Sequence, residues 1–373
     1  MVILNIELDN ILLFQHFSMN LSYPKKPVRT SIENEFLMGR PNFRYKKLVV
    51  LMGANATGKT ALGKALRGIF NFIAKKEASS ILPLIDNCQL PASFSIDLAF
   101  SDYTLYRISA SFSARKSVNE EYSSDDVIVT VKHVSIRKND SYEICADRLS
   151  SMERTENDFY VKALEFVPHL SWDFEYPLAS EGWQHAVNPV NPHLYAVILR
   201  KILQTLDPRI LKVNEVQNVN NTYVIVYPNT SVLIQDGIIT SPDKLSSGTT
   251  EGVGIAQMLT GMKLNAHDFY FCDEKFSHVH TDIEKAFLSV MIDYLGDNRQ
   301  LFFTTHNLDI LETDLPLHSF AFLRRDDTSE HTISVTFASE YLKKNNISLR
   351  NSVENDLFST VPSTSEIFSL AEI

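Results

Sequence analysis

The sequence predicts an α/β fold, a mixed sheet with an antiparallel β subdomain and a small helical lobe, and three observations carry that prediction. The apolar run Leu48 to Met52 passes directly into Gly53-Ala54-Asn55-Ala56-Thr57-Gly58-Lys59-Thr60, after which Leu62, Leu66, Ile69 and Ile73 recur at helical spacing. Two later apolar runs, Phe269 to Cys272 and Leu301 to Phe303, end in Asp273-Glu274 and Thr304-Thr305-His306, as parallel strands end at the edge where α/β sheets bind ligands. Elsewhere several segments alternate apolar and polar residues with the period of two that marks antiparallel strands.

Taken in order, residues 1 to 20 alternate irregularly and read as one or two strands at a sheet edge. From Lys25 to Lys47 the cations Lys25, Lys26, Arg29, Arg40, Arg44, Lys46 and Lys47 outnumber Glu33 and Glu35, and Pro24, Pro27 and Pro41 indicate a loop. Two readings of it stand, a solvated loop or a contact for a phosphate backbone. The stretch from Gly53 then reads G-x-x-x-x-G-K-T in the order strand, loop, helix, which makes it a phosphate-binding loop. Backbone N–H groups along Gly53, Asn55, Ala56, Thr57, Gly58 and Ala61 would face phosphates. Lys59 would reach the β and γ phosphates, and the Thr60 hydroxyl would ligate Mg²⁺ at the helix N-terminus.

Phe94, Ile96, Leu98 and Phe100, then Tyr106, Ile108, Ala110 and Phe112, form the alternating arms of an antiparallel meander around a Ser101-Asp102 turn. A polar insert (115 to 126) leads to Val127, Val129 and Val131; Lys138-Asn139-Asp140-Ser141 reads as a hairpin turn and 161 to 168 as another strand. Pro177, Pro189 and Pro192 precede a helix carrying Leu194, Ile198 and Ile202, the centre of a helical lobe over about 172 to 215. Strands follow at Thr222 to Tyr227 and Ser231 to Gln235, with Asp236-Gly237 as a turn.

Leu245-Ser246-Ser247-Gly248-Thr249-Thr250-Glu251 precedes a helix with Ile255, Met258, Leu259 and Met262 on one face, capped by Ser246 or Ser247. At the end of the next strand Asp273 suits water-mediated Mg²⁺ coordination and Glu274 suits the general base for an attacking water. Thr281-Asp282-Ile283-Glu284 reads as a capping box, and His306, one strand on, can donate to a γ-phosphate. His331 to Phe337 reads as a last strand, followed by a short helix and a serine-rich tail.

With 373 residues and 44% hydrophobic content the chain can bury a large core, as one big domain or two intimately joined ones. Glu7, Asp9, His16 and Asn20 interrupt the first twenty residues, so no stretch there matches a membrane span or a secretory core. Cys88, Cys145 and Cys272 are far apart and form no C-x-x-C pair, which argues against a zinc site or disulfide scaffold. A soluble, unprocessed, cytoplasmic chain is the expectation. The net charge of −10 disfavours the whole surface as a nucleic-acid platform.

The order G-x-x-x-x-G-K-T, L-S-S-G-T, apolar strand with D-E, then T-T-H resembles the ATP-binding-cassette ATPases. That resemblance implies a P-loop NTPase core over residues 1 to 330, ATP and Mg²⁺ as ligands, and a homodimer or higher homo-oligomer. In it Ser247 and Gly248 of one copy touch the γ-phosphate held by Lys59 of another. Asp273 to His280 is similar to the D-E-P-E-x-x-L-H-P stretch of RecF-like and OLD-like ATPases, many of them encoded in bacterial anti-phage systems. His280 matches, while Lys275, Phe276 and Thr281 depart from its Pro, Glu and Pro. For the family's glutamine loop there is no clear match: Gln184 is the only glutamine nearby, and His169 or Trp172 lie where the loop could be. No adenine-stacking aromatic stands out among Phe14, Phe17 and Tyr23. The resemblance implies an ATPase that controls a separate effector protein, with residues 331 to 373 as a candidate docking segment. A RecF-like DNA-repair clamp is the alternative, and a transporter ATPase subunit fits least.

Overall fold

The computed structural model describes residues 1–26, 30–117, 123–153, 159–177, 187–326, 332–342, 348–359 and 365–370. Pro27, Arg29, Gln184 and His331 lie outside them. The chain divides into two compact units, one of Met1–Leu170 with Leu308–Ile373 and the other of Ser171–Asn307.

The first unit begins with β1 (Val2–Asp9), β2 (Phe17–Asn20), β3 (Phe36–Leu37), β4 (Arg40–Arg44), β5 (Leu48–Met52) and α1 (Lys59–Lys75). It continues through β6 (Ala92–Ala99), β7 (Thr104–Phe112), β8 (Val127–Ser135), α2 (Tyr142–Ser151) and α3 (Tyr160–Leu164). Here the meander is an antiparallel sheet in the order β2-β1-β6-β7-β8, with Ile96 opposite both Ile6 and Ile108. Its inner face packs Phe94 and Phe112 against Phe72 of α1, all of them buried. On the other face α2 seals Val2, Leu4, Ala99 and Leu105 with Tyr142, Cys145 and Leu149. The buried carboxylate of Asp97 lies at that seam and accepts from Arg107 (2.8 and 2.7 Å) and from the Tyr142 hydroxyl (2.8 Å). Burial and the Asp97 charge together push the Tyr142 phenol up.

Two local expectations fail in this region. Lys138–Ser141 is no hairpin turn: Asp140 accepts from the Arg137 N–H at 2.9 Å and the chain turns into α2. Residues 160–164 form the short helix α3 instead of a strand, and Tyr160 stacks on Phe72.

The second unit carries β9 (Trp172–Glu175), α4 (Pro192–Leu206), β10 (Lys212–Glu215), β11 (Tyr223–Val226), β12 (Ser231–Gln235) and β13 (Ile238–Ile239). After them come α5 (Ser247–Lys263), β14 (Phe269–Asp273), α6 (Thr281–Tyr294) and β15 (Gln300–Thr304). β14 is parallel to β15, with Asp273 opposite Thr304, and parallel to β9, with Cys272 opposite Glu175. β10 to β13 make a separate antiparallel sheet. The buried stripe of α4 is Tyr195, Leu199, Ile202 and Leu203, shifted from Leu194 and Ile198 because α4 packs on α5. α5 has no single apolar face; Gly248 to Gly252 are buried in unbroken succession.

The chain then returns to the first unit with β16 (Phe320–Arg325), β17 (Ile333–Phe337), α7 (Ala338–Tyr341), α8 (Leu349–Glu354) and α9 (Ser365–Ser369). β16 runs parallel to β5 and antiparallel to β17. Phe358 stacks on Phe322 of β16, and Arg350 of α8 binds Asp309, Glu312 and Glu354. Among the described residues no helix is long and apolar enough to cross a membrane.

Among its described residues, most cations of the basic stretch before β5 are engaged by the fold and are not a solvated row. Lys46 is buried and donates to the Asn20 and Ser22 carbonyls at 2.9 Å, over the Phe337 ring; burial lowers its pKa to about 8. Lys47 donates to Glu33 O, Arg44 to Pro24 O, and Arg40 lies over Tyr103 while donating to Ile136 O. Only Lys25 and Lys26 of the described cations in that stretch are fully exposed.

Candidate nucleotide site

β5 is buried along its length and delivers the chain into the phosphate loop. A Cβ at Gly53 would stand 2.4 Å from Leu323 O, so only glycine lets the loop leave the strand there. Gly58, at φ +99°, is the N-cap of α1, and a Cβ on it would meet Ile333 at 3.0 Å and Phe14 at 3.3 Å. Thr57 ties the loop to itself by donating to Ala54 O at 2.8 Å. Lys59 is 4% exposed, and its ammonium donates back to Gly53 O (2.9 Å) and Ala54 O (3.1 Å). α1 starts with no side-chain cap and no acid in its first turn. A helix N-terminus without a side-chain cap, its positive end and one lysine make a donor set that fits phosphate. Asn55 and Ala56 are exposed at the loop tip, and Thr60 and Ala61 begin α1 half-buried.

In the second unit the acidic pair is fixed by one hydroxyl. Thr304, at the end of β15, donates to Asp273 Oδ1 at 2.7 Å and accepts from the Glu274 N–H at 2.9 Å. Asp273 is fully buried, whereas Glu274 leaves the strand with φ 43°, a left-handed backbone that turns its side chain away from the β14 path. The Glu274 carboxylate then meets His306 Nε2 at 2.8 Å. A carboxylate held by a half-exposed imidazole, directly after a buried aspartate in the chain, can take a proton from water while the imidazole hands on a hydrogen bond. Glu284 holds the turn that bears His306, accepting from Thr305 Oγ1 (2.6 Å) and Asn307 Nδ2 (2.7 Å). It is therefore not the partner of Thr281 in a capping box: His280 caps α6, accepting from Asp282 N–H at 3.3 Å.

Ser246, not Ser247, caps α5, accepting from the Thr249 N–H at 3.1 Å. Ser247 is left exposed at the first helical position, and buried Gly248 packs so that a Cβ would stand 3.2 Å from His278 O. One turn on, buried Glu251 lies 2.6 Å from Lys275, which also meets Glu175 at 3.3 Å and donates to Tyr176 O at 2.9 Å. Burial works against the ammonium, but the two carboxylates outweigh it and hold the Lys275 pKa up.

The structure thus brings Asp273, Glu274 and His306 together in the second unit, where Ser247 and Gly248 also lie; Lys59 and Thr60 belong to the first. Sequence reasoning missed Thr304 and Glu284 as the residues that orient the acids and the histidine. The signal for Thr304 was available, a hydroxyl residue directly across from Asp273 in two consecutive parallel strands. Gln184 lies outside the described residues, His169 precedes β9 and Trp172 is its first residue, and the carboxylate at the end of β9, Glu175, is committed to Lys275. A hollow of about 710 Å³ opens elsewhere, on the outer face of the five-stranded sheet between Glu7, Ser95, Ser109 and Thr130. Its two cations, Arg107 and Lys132, are engaged by Asp97 and by the Leu149 and Met152 carbonyls, so it is a poor seat for phosphate.

No family model and no curated protein matches the sequence. Solved structures do. The chain is similar to an SMC head bound to the C-winged-helix domain of ScpA, at 11% identity over 95% of this chain and 100% of that one, with a TM-score of 0.51. An SMC head with an extended coiled coil, bound to the C-terminal domain of ScpA and derived from Pyrococcus furiosus, is similar at 10% identity over 96% and 99%, with a TM-score of 0.49. RecF with ATP is similar at 11% identity over 82% and 92%, with a TM-score of 0.40. The first likeness establishes the fold, an SMC-head-like mixed α/β architecture, and at such identity it speaks for the fold alone.

Proposed function

We propose that the chain binds and hydrolyses ATP with Mg²⁺ and uses the nucleotide to switch its own assembly, as a homodimer or higher homo-oligomer. The observation that carries this reading is the network in which Thr304 fixes Asp273 and the Glu274 backbone while His306 holds the Glu274 carboxylate. In it Glu274 takes the proton of an attacking water, and His306 steadies that carboxylate and donates toward the γ-phosphate. Lys59 and the amides from Gly53 to Ala61 hold the phosphates, and Thr60 and Asp273 hold the metal, which supplies charge neutralisation when bound. Ser247 and Gly248 of a second copy complete the site: Ser247 is exposed at a helix N-terminus of the kind that receives anions.

Residues 1 to 330 form the ATPase domain in this reading, and closing and loosening of the assembly controls a separate effector protein in the cytoplasm. Anti-phage defence is proposed as the setting on the likeness of residues 273 to 280 to RecF-like and OLD-like ATPases, many of them encoded in bacterial anti-phage systems. In the segment 331 to 373, proposed to dock the partner, Ile367, Phe368 and Leu370 are 67%, 72% and 64% exposed, the chemistry of an apolar anchor. A DNA clamp would have to rely on cations other than Arg40, Arg44, Lys46 and Lys47, which are bonded within the fold.

Glu274→Gln tests the reading. Light scattering in ATP and Mg²⁺ is expected to record a larger, persistent assembly with turnover reduced at least about a hundredfold. Unchanged turnover removes Glu274 from the reaction, and failure of the native chain to bind ATP overturns the reading as a whole.

A further inference from the structure

Lys275 departs from the proline of the similar stretch, and its side chain is buried deep in the second unit. Its Nζ lies 2.6 Å from Glu251 Oε2 and 3.3 Å from Glu175 Oε2, and all three side chains are at most 6% exposed. The fold is shaped to admit this cluster. Gly254 faces it, and a Cβ there would stand 2.3 Å from Glu175 Oε2 and 3.1 Å from Lys275 Nζ. Two acidic side chains and one lysine enclosed together are an arrangement that stability alone does not favour.

What the cluster joins is specific. Lys275 follows Glu274 directly in the chain, so its backbone moves with the catalytic carboxylate. Glu251 is one helical turn beyond Ser247, and the first turn of α5 is rigid: Thr250 Oγ1 donates to Ser246 O at 3.0 Å and Ser246 caps Thr249. A second contact runs alongside, because the segment after Lys275 packs on Gly248 through His278 and Val279.

We infer that Lys275, bonded to Glu251, is a positioning residue that ties the Ser247-Gly248 turn to the Glu274 strand end of the same chain, and thereby couples two ATP sites of the assembly. This rests on the composite-site reading above. In that reading Glu274 serves the nucleotide on its own chain while Ser247 serves the nucleotide on the partner copy. A shift at Glu274 on hydrolysis is then passed through Lys275 and Glu251 to the other site. Glu175 and the Tyr176 carbonyl anchor the ammonium but do not carry the link.

The test compares two isosteric variants of the full chain, Glu251→Met and Glu175→Met. Each removes one carboxylate and leaves Lys275 in a one-to-one ion pair, so a purely structural cluster would respond alike to both. The readouts are the ATP dependence of turnover and the affinity for a fluorescent ATP analogue. Glu251→Met is expected to lower the Hill coefficient from above about 1.5 to about 1 and kcat about fivefold, with affinity within about twofold. Glu175→Met is expected to keep the native Hill coefficient. If Glu251→Met folds, as judged by its melting profile, and keeps the native Hill coefficient, or if both variants lose it equally, the coupling role is overturned while the ATPase reading stands. A native chain that binds ATP but turns over without cooperativity also overturns it. Should Glu251→Met fail to fold, Glu251→Gln is measured against Glu175→Gln with the same outcomes. A native chain that binds no ATP overturns the underlying reading first.

Discussion

Thr304 illustrates how much of the candidate site depends on one small side chain. Its hydroxyl is buried, donates to the fully buried Asp273 and accepts from the N–H of Glu274, the residue whose φ of 43° bends the chain out of the strand. Valine has nearly the same shape but neither donor nor acceptor. Thr304→Val therefore takes one hydrogen bond from a buried carboxylate and one from a partly buried N–H, at a cost of about 1–3 kcal/mol. The functional effect should exceed the structural one, since Glu274 would lose the bond that holds its left-handed turn. We expect Thr304→Val to stay folded at room temperature, to bind ATP within a few-fold of the native affinity, and to lose turnover at least about tenfold. Chemical denaturation, analogue titration and phosphate release measure the three quantities separately; native turnover in a destabilised protein would contradict the orienting role.

At the scale of elements, α1 depends on Gly58. Its φ of +99° strains any side chain, and a methyl group would press on Ile333 and Phe14, so Gly58→Ala combines backbone strain with slightly displaced neighbours. The variant is expected to be destabilised by about 1–3 kcal/mol and to lose ATP-analogue binding, because the helix N-terminus that receives phosphate is re-aimed. Retained affinity in the folded variant would show that loop geometry at this position is dispensable. The phosphate loop, the apolar strands and their terminal acids were legible in the sequence because each is set by residues adjacent in the chain. The segments read wrongly were decided by distant partners. Lys138–Ser141 has the residues of a hairpin turn, yet the apolar face of α2 is drawn onto Val2, Leu4 and Ala99, more than thirty-five positions earlier in sequence. Residues 160 to 164 carry strand-like apolar spacing, but stacking of Tyr160 on Phe72 favours the helix α3. Thr281-x-x-Glu284 has the capping-box pattern, and Glu284 is diverted to the Thr305–Asn307 turn by two short hydrogen bonds. The basic stretch before β5 looked like a surface loop; Lys46 and Lys47 in fact satisfy carbonyls of the sheet edge and of the Glu33 turn, while Lys25 and Lys26 stay exposed.

At the scale of the whole molecule, the question is whether one chain or two make the working site, and the chain offers a complementation test. Lys59→Ala removes the phosphate-loop lysine, while Ser247→Ala removes the exposed hydroxyl at the start of α5. If a site is built from Lys59 of one copy and Ser247 of another, each variant alone forms only defective sites. Equal mixing with free exchange gives hetero-pairs in half of the dimers. Each hetero-pair has one site with both native residues and one site lacking both. The mixture should then recover up to about a quarter of native turnover, less if the two sites must act together. If instead Lys59 and Ser247 served one nucleotide within a single chain, every chain in the mixture would still be missing one of them. Turnover of the mixture would then be the mean of the two inactive variants. Steady-state ATP hydrolysis across a series of mixing ratios separates the cases: a maximum at equal proportions, falling to both ends, is expected for the shared site, and a straight line between the end points would exclude it.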